Sequence, residues 1–353
     1  MDLSVAELVE HLVPLLKDRV RLHSHGKQIY IYEQPIWRAV SSSDILRLIR
    51  RDKWIPQPMI PLSILKQDQL MKQLIESIET IDRKSADQDW SLLAFKNGVF
   101  DFKRSCFRLG LPSDNLSFKI DYDYNHYTFA HPQVKLLREI CASFFPDTVD
   151  LDHFYWLMRK VVRGTLDRPI VHFGDNDTGK TTMLNFVRQI MDNYAFNITH
   201  MTDIARYING KRLLVCEDIS SGMKITQDSV KYYSLNLSNY QMMFTSTDLS
   251  EYSSDQYFHI IHYRRRCIAS EFWPDRYNLD QILNDLKAAA MWFFIHYQPF
   301  IWTPDKHAQP SLALAIEERK QIRTLMLLRY VSGCLLNIMP NELMFELFTF
   351  LVD

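Results

Sequence analysis

Cysteine is sparse and unpatterned. The five cysteines, Cys106, Cys141, Cys216, Cys267 and Cys334, are scattered with no Cys-x-x-Cys pair. That spacing excludes a disulfide framework and a zinc ribbon, and it fits a reducing compartment. Twelve histidines form no His-x-x-x-His or His-Glu-x-x-His pattern, so catalysis by a metal-bound water on protein ligands alone has no support. Neither sign of charge is in excess. Forty-one Lys and Arg face 42 Asp and Glu, for a formal net charge of −1, so nucleic-acid binding must come from a local basic surface. Long apolar runs are missing too. The most apolar stretch, 288–295, is far short of the ~20 residues that span a bilayer, and it reads as a buried helix face with no membrane partner. The start, Met1-Asp2-Leu3-Ser4, carries an early acid and no basic-then-apolar pattern, so no signal peptide is expected. The predicted setting is intracellular.

What remains is an ordinary globular composition, 47% hydrophobic and 24% charged over 353 residues. That length suffices for two domains at ~150 residues each. The informative stretch is Ile170-Val171-His172-Phe173-Gly174-Asp175-Asn176-Asp177-Thr178-Gly179-Lys180-Thr181-Thr182. An apolar strand runs into a glycine-bounded turn, and Lys-Thr-Thr then opens an amphipathic helix over 183–191. This is the G-x-x-x-x-G-K-[ST] phosphate loop in its strand–loop–helix setting. Glycines at both ends let successive N–H groups point inward at phosphate oxygens, and the helix N-terminus adds its dipole. The loop from Gly174 through Thr182 is therefore the predicted ATP cradle. Lys180 would neutralise the β- and γ-phosphates, and the Thr181 hydroxyl would hold Mg²⁺.

From Pro169 onward the order strand, loop, helix, strand, helix, strand predicts a parallel sheet covered by helices. The strand 212–216 ends in Glu217-Asp218. Beside a phosphate loop, a carboxylate there can hold Mg²⁺ through water and orient the attacking water; a capping pair is the plain alternative. The strand 241–245 ends in Ser246-Thr247-Asp248, either a γ-phosphate sensor at Thr247 or turn chemistry. His259 to His262 reads as another strand, followed by Arg264-Arg265-Arg266, either a solvated charge run or an arginine finger.

Upstream, helical periodicity covers 4–20, a strand covers 28–32, Ser43-Asp44 caps a helix, and a second helix runs from Ser63 to Ile81 after Pro56, Pro58 and Pro61. A β-rich patch extends from Leu92 to Tyr124 around the Asn97-Gly98 turn, and helices cover 132–145 and 151–163. Two basic clusters, Arg159/Lys160/Arg163/Arg168 and Arg47/Arg50/Arg51/Lys53 beside Trp54, have the character of single-stranded DNA contacts, although a wetted amphipathic face explains such clusters more often. The predicted division is an α+β domain over 1–135, a phosphate-loop core over 136–305 and a helical extension over 306–353, with helices at 313–331 and 340–351. The Met339–Leu343 stretch is faintly F-box-like, but a packing helix is the preferred reading.

Taken together, these segments resemble superfamily 3 helicases, and more narrowly the helicase part of the poxvirus-type primase-helicases of large DNA viruses and phages. The likeness covers about residues 25 to 300. It is carried by Leu93-Ala94-Phe95-Lys96-Asn97-Gly98-Val99-Phe100-Asp101-Phe102 with Ile120-Asp121-Tyr122-Asp123-Tyr124, and by the phosphate loop with its following Asn193-Tyr194. It continues through Ile208-Asn209-Gly210-Lys211-Arg212-Leu213-Leu214-Val215-Cys216-Glu217, and ends with Arg265-Arg266-Cys267-Ile268 running to Phe272. The resemblance implies an AAA+-like core that binds ATP and Mg²⁺ between the subunits of a ring, usually a hexamer. It implies that Lys180 and Thr181 bind phosphate and metal, that Glu217, with Asp218 beside it, polarises water, and that Arg265 or Arg266 reaches a neighbour's γ-phosphate. Single-stranded DNA and a separate primase or polymerase are the implied partners. The implied location, if the chain is viral, is the host cytoplasm or nucleus at replication sites.

Two departures are visible. The third motif of the family ends in asparagine where this chain has Thr247, a hydroxyl with one donor in place of an amide with two. Lys231 matches the family's lysine ahead of a DNA-touching hairpin, but Tyr232-Tyr233-Ser234-Leu235-Asn236-Leu237-Ser238-Asn239-Tyr240 supplies no glycine and no basic residue, so the phosphate contacts expected there are missing. There is no room for a primase domain before residue 25, and the end at Val352-Asp353 leaves truncation open. Three functions therefore compete: a DNA helicase or translocase, a nucleotide-binding scaffold that does not unwind, and a small-molecule kinase.

Overall fold

The computed structural model describes residues 4–23, 28–54, 64–78, 80–81, 86–198, 210–217, 241–247, 258–263 and 276–299. Asp218, Lys231, the 232–240 segment, Arg265, Arg266 and the expected helices beyond residue 306 lie outside them.

The chain begins with helix α1 (Val5–Leu16), whose Ser4 and Glu7 form a reciprocal capping box. Strands β1 (Val20–His23), β2 (Ile29–Glu33) and β3 (Ile36–Val40) follow, then α2 (Ser42–Arg51), α3 (Ile64–Ser77) and β4 (Thr80–Ile81). The strands form a sheet in the order β3-β2-β1-β4, antiparallel except where β4 runs parallel to β1. Alternation on these strands turns Val20, Leu22, Ile29, Ile31 and Val40 inward. They meet Leu8, Leu12 and Leu16 of α1, Ile45 and Ile49 of α2, and Leu70 and Leu74 of α3 in one apolar core.

Two expectations change here. The helix predicted to run to Ile81 stops at Ser77, because Thr80-Ile81 completes a sheet edge beside β1. The helix predicted through residue 20 ends at Leu16, and the β-branched Val20 opens a strand instead.

Next come β5 (Leu92–Phe95), β6 (Gly98–Asp101) and β7 (Cys106–Arg108), an antiparallel meander. Only the first half of the predicted β-rich patch is regular strand. Its second half is held to the meander by the single bridge Phe95↔Ile120 and by Asn97. The Asn97 side chain donates to the Tyr124 carbonyl at 3.0 Å and accepts the Tyr124 N–H at 2.9 Å.

Helices α4 (Pro132–Phe144) and α5 (Thr148–Arg163) lead into β8 (Ile170–Gly174), α6 (Lys180–Met191), β9 (Ala195–Asn197), β10 (Leu213–Cys216), β11 (Gln241–Ser246), β12 (His259–Tyr263) and α7 (Arg276–His296). The last five strands form one fully parallel sheet in the order β12-β8-β11-β10-β9. The mixed α/β class with a parallel sheet is therefore as predicted. β10 is buried at every position, and β8 and β11 at all but one, as strands covered on both faces require. Helices α4, α5, α6 and α7 share one core with the sheet, and Leu93, Phe95, Phe100, Ile120 and Tyr124 of the preceding meander belong to that same core. No helix among the described residues is long and apolar enough to cross a membrane.

Candidate nucleotide site

The loop between β8 and α6 lies at the carboxyl ends of the strands, where ligands bind in open α/β sheets. Its conformation demands its glycines. Gly174 has φ +155° and Gly179 φ +88°. A Cβ on Gly174 would lie 2.5 Å from the Tyr263 carbonyl oxygen, and one on Gly179 would lie 2.2 Å from the Phe144 ring. Between them Asp175, Asn176 and Asp177 are exposed, while Thr178 and Lys180 are buried. The Thr178 hydroxyl donates to the Asp175 carbonyl at 2.8 Å and closes the turn.

Lys180 is the centre of the loop. Its side chain folds back so that Nζ donates to the carbonyls of Gly174 at 2.6 Å and Asp175 at 2.5 Å. A largely buried ammonium is thereby kept on the inner side of the turn. Helix α6 begins at Lys180 with Gly179 as its cap residue, which supplies no side-chain acceptor. A helix N-terminus of this kind offers its N–H groups and its dipole to an anion. Thr181 is exposed at the mouth of the loop and Thr182 is half-buried.

Strand register positions the other candidates. Cys216 pairs with Phe244 and Phe244 with Val171, so Glu217, one residue further, is level with Thr245 and His172. At ~4.8 Å between neighbouring strands, Glu217 stands two strands, or roughly 10 Å, to the side of β8. Ser246 pairs with Phe173 and Tyr263 with Gly174. Thr247 on one side and Tyr263 on the other therefore flank the first glycine of the loop. Glu217 and Thr247 are both exposed. The described candidates thus gather at the carboxyl edge of the sheet, with Glu217 and Thr247 both exposed there.

Two residues beneath the loop were not singled out by sequence. His172 is fully buried, its Nδ1 2.7 Å from the Tyr263 hydroxyl, and its ring stacks on that of Tyr263 at 5.6 Å. Burial, reinforced by the Lys180 charge, lowers its pKa to about 3, and burial raises that of Tyr263 well above the usual phenol value. His172 is therefore neutral at physiological pH. In sequence it is one polar residue in an apolar strand, which gives no sign of its partner 91 positions away.

The segments flanking the core motifs have a structural role. Arg212 is 2% exposed. Its Nη1 donates to the Trp90 carbonyl at 3.2 Å and its Nη2 to the Leu92 carbonyl, while its guanidinium lies 4.7 Å from the Tyr194 ring centre. The Tyr194 hydroxyl donates to the Phe118 carbonyl at 2.8 Å and receives the Ala94 N–H at 3.3 Å. Asn193 Nδ2 donates to the Lys119 carbonyl and to Asp121, and Lys211 Nζ to the Asn193 carbonyl. These side chains fasten the β5–β7 meander and the 118–124 segment to the edge of the parallel sheet. They contribute scaffold, not chemistry.

The basic cluster at 159–168 is similarly engaged. Lys160 and Arg168 pair with Asp167 at 2.9 and 3.3 Å, Lys160 also lies 4.3 Å above the Trp156 ring, and Arg163 covers Phe102.

The structure is thus a mixed α/β fold whose five-strand parallel sheet carries a glycine-bounded loop, a lysine and an acidic strand end on one edge. Comparison with known proteins narrows this. Residues 8–146 match the family model described as D5 N terminal like. "Putative helicase 121R" of Invertebrate iridescent virus 3 is 36% identical over 98 residues, 27% of this chain and 10% of that protein. "Putative helicase 184R" of Invertebrate iridescent virus 6 is 31% identical over 121 residues, 33% of this chain and 12% of that protein. The matched stretch thus spans about a tenth of each viral relative. Two apo structures of the NrS-1 C terminal region (305-718) align with TM-scores of 0.50 and 0.52. They cover 85% and 98% of this chain and 71% and 85% of theirs, at 11% and 13% identity, a likeness of fold alone. Residues 8–146 are thus similar to the D5 N terminal like family, part of the chain is similar to viral proteins named as putative helicases, and its fold resembles that of the NrS-1 C terminal region.

Proposed function

We propose that this protein is an ATP-dependent DNA helicase or translocase of the superfamily 3 type, hydrolysing ATP with Mg²⁺ in an AAA+-like core that assembles as a ring. The observation that carries the reading is the loop itself. A buried lysine is held inside a glycine-bounded turn at the start of a helix whose glycine cap supplies no side-chain acceptor. Binding a triphosphate there would draw Nζ from the two carbonyls onto β- and γ-oxygens, exchanging neutral acceptors for charged ones. Thr181, exposed at the start of the helix, would hold Mg²⁺, which would offset negative charge on the phosphates. Glu217, two strands across, would orient a water for attack on the γ-phosphate, and Thr247 would hydrogen-bond that water or the phosphate. Asp218 would assist Glu217. Arg265 and Arg266 would complete the site of a neighbouring subunit and stabilise charge that develops during transfer. Single-stranded DNA is the proposed track.

The test is ATP hydrolysis by the wild type and Lys180→Ala, with and without single-stranded DNA. DNA-stimulated turnover that Lys180→Ala reduces at least a hundredfold is the expected result. Phosphoryl transfer to a nucleoside would favour a kinase. Intact nucleotide binding without turnover would favour the second reading, a nucleotide-binding scaffold, for which the non-basic sequence 232–240 and Thr247 in place of asparagine speak.

A further inference from the structure

The segment expected to touch DNA in the core carries no basic residue from 232 to 240, so a phosphate backbone has to be met elsewhere. Between positions 17 and 53 the chain has nine Lys and Arg against four Asp and Glu, a local excess of +5 in a protein of net charge −1. The structure gathers much of this excess onto one surface of the N-terminal module. Arg47, Arg50 and Arg51 fall at i, i+3 and i+4 on the outward side of α2 and are all exposed. The inward side of that helix is apolar and built into the core through Ile45, Leu48 and Ile49.

Three carboxylates knit neighbouring cations to this helix face. Asp52 receives Arg51 Nε at 2.8 Å and Arg19 Nη1 at 2.9 Å. Glu33 receives two bonds from Arg38 at 2.8 Å and feels the charges of Lys119 and Arg51. Asp44 bonds Arg47 at 3.4 Å and feels Arg38. Arg50 and the exposed Lys53 have no carboxylate partner among the described residues. Five cations therefore share three carboxylates, and Arg50 and Lys53 add two more positive charges. Arg19 also lies 5.1 Å from the half-buried Trp54 ring, which adds an aromatic plane to the patch.

We infer that this face, formed by α2 with Arg19, Arg38 and Lys53, is a docking surface for the phosphate backbone of single-stranded nucleic acid. The carboxylates hold the guanidinium groups in place without cancelling them. Arginine forks match phosphate oxygens in geometry as well as charge. The attraction is independent of sequence and weakens steeply with salt. The inference deepens the nucleic-acid side of the proposed function, and it does not require ATP hydrolysis.

Fluorescence anisotropy of a labelled oligodeoxythymidine, without nucleotide and over a salt series, tests it. The variants are Arg47→Ala/Arg50→Ala/Lys53→Ala and a control with equal charge loss, Lys66→Ala/Lys72→Ala/Lys135→Ala. Each neutralised phosphate contact contributes about 0.7 to the log–log salt slope for a single strand. The first variant should therefore lower the slope by about 2 and weaken binding, while the control and the DNA-free ATPase stay at wild-type values. Equal effects of the two variants would overturn the proposal, as would no effect of the first. Binding to vesicles of anionic lipid with none to the oligonucleotide would assign the surface to a membrane and overturn it as well. A protein that binds DNA through this face but hydrolyses no ATP would sink the helicase reading and leave this one standing.

Discussion

His172 joins the strand ahead of the glycine-bounded loop to β12, because its fully buried imidazole shares one hydrogen bond with the Tyr263 hydroxyl. An unfolded imidazole takes up a proton below about pH 6.5, whereas this one resists protonation down to about 3. Between those values the unfolded chain binds more protons, so stability is full above pH 6.5 and falls as pH falls through the window. From pH 7 to 5 the loss attributable to His172 is about 2 kcal/mol. His153, lowered by burial to about 4, acts in the same direction. Urea denaturation of the wild type and His172→Phe at both pH values checks this. The variant should lose less stability on acidification by about 2 kcal/mol, and an identical loss would show that His172 carries a proton in the folded protein.

At the scale of elements, the segments around the parallel sheet are joined by a few buried polar side chains. Arg212 is the principal one. Burial lowers its pKa from the usual guanidinium value, and Asp87, itself raised by burial, compensates part of its charge. Arg212→Ala would leave the Trp90 and Leu92 carbonyls unpaired and Asp87 without its cation. The expected cost is roughly 3–5 kcal/mol, with the β5–β7 meander gaining hydrogen exchange before the sheet does. A drop of under ~1 kcal/mol would contradict the clamp.

The legibility of the sequence followed the range of each signal. Strands β8, β10, β11 and β12 and the loop after β8 were readable because apolar runs and glycine positions are local. The cap expected at Ser43-Asp44 falls instead at Ser41, the first of three consecutive serines. The structure selects it because Asp44 stands three residues on and returns the bond, completing a capping box that Ser43 could not form. The two-residue β4 has no periodicity of its own and exists only as the partner of β1. Arg212, Tyr194 and Asn97 were read as motif letters, since nothing local reveals partners up to 122 positions distant.

At the scale of the whole molecule, a small α+β module with a basic face precedes a parallel-sheet core, and the carboxyl edge of that sheet gathers Lys180, Thr181, Glu217 and Thr247. The division of labour proposed is that the core takes the nucleotide while the module takes the nucleic-acid backbone. Everything energetic depends on the first of these, the grip of the loop on a triphosphate. Equilibrium titration of a fluorescent ATP analogue with Mg²⁺ into wild type and Lys180→Ala tests it most directly. The account predicts saturable binding by the wild type that Lys180→Ala weakens at least tenfold, a loss of about 1.4 kcal/mol or more, with folding unchanged by circular dichroism. Equal affinity in the two proteins, or no binding by the wild type, would contradict it.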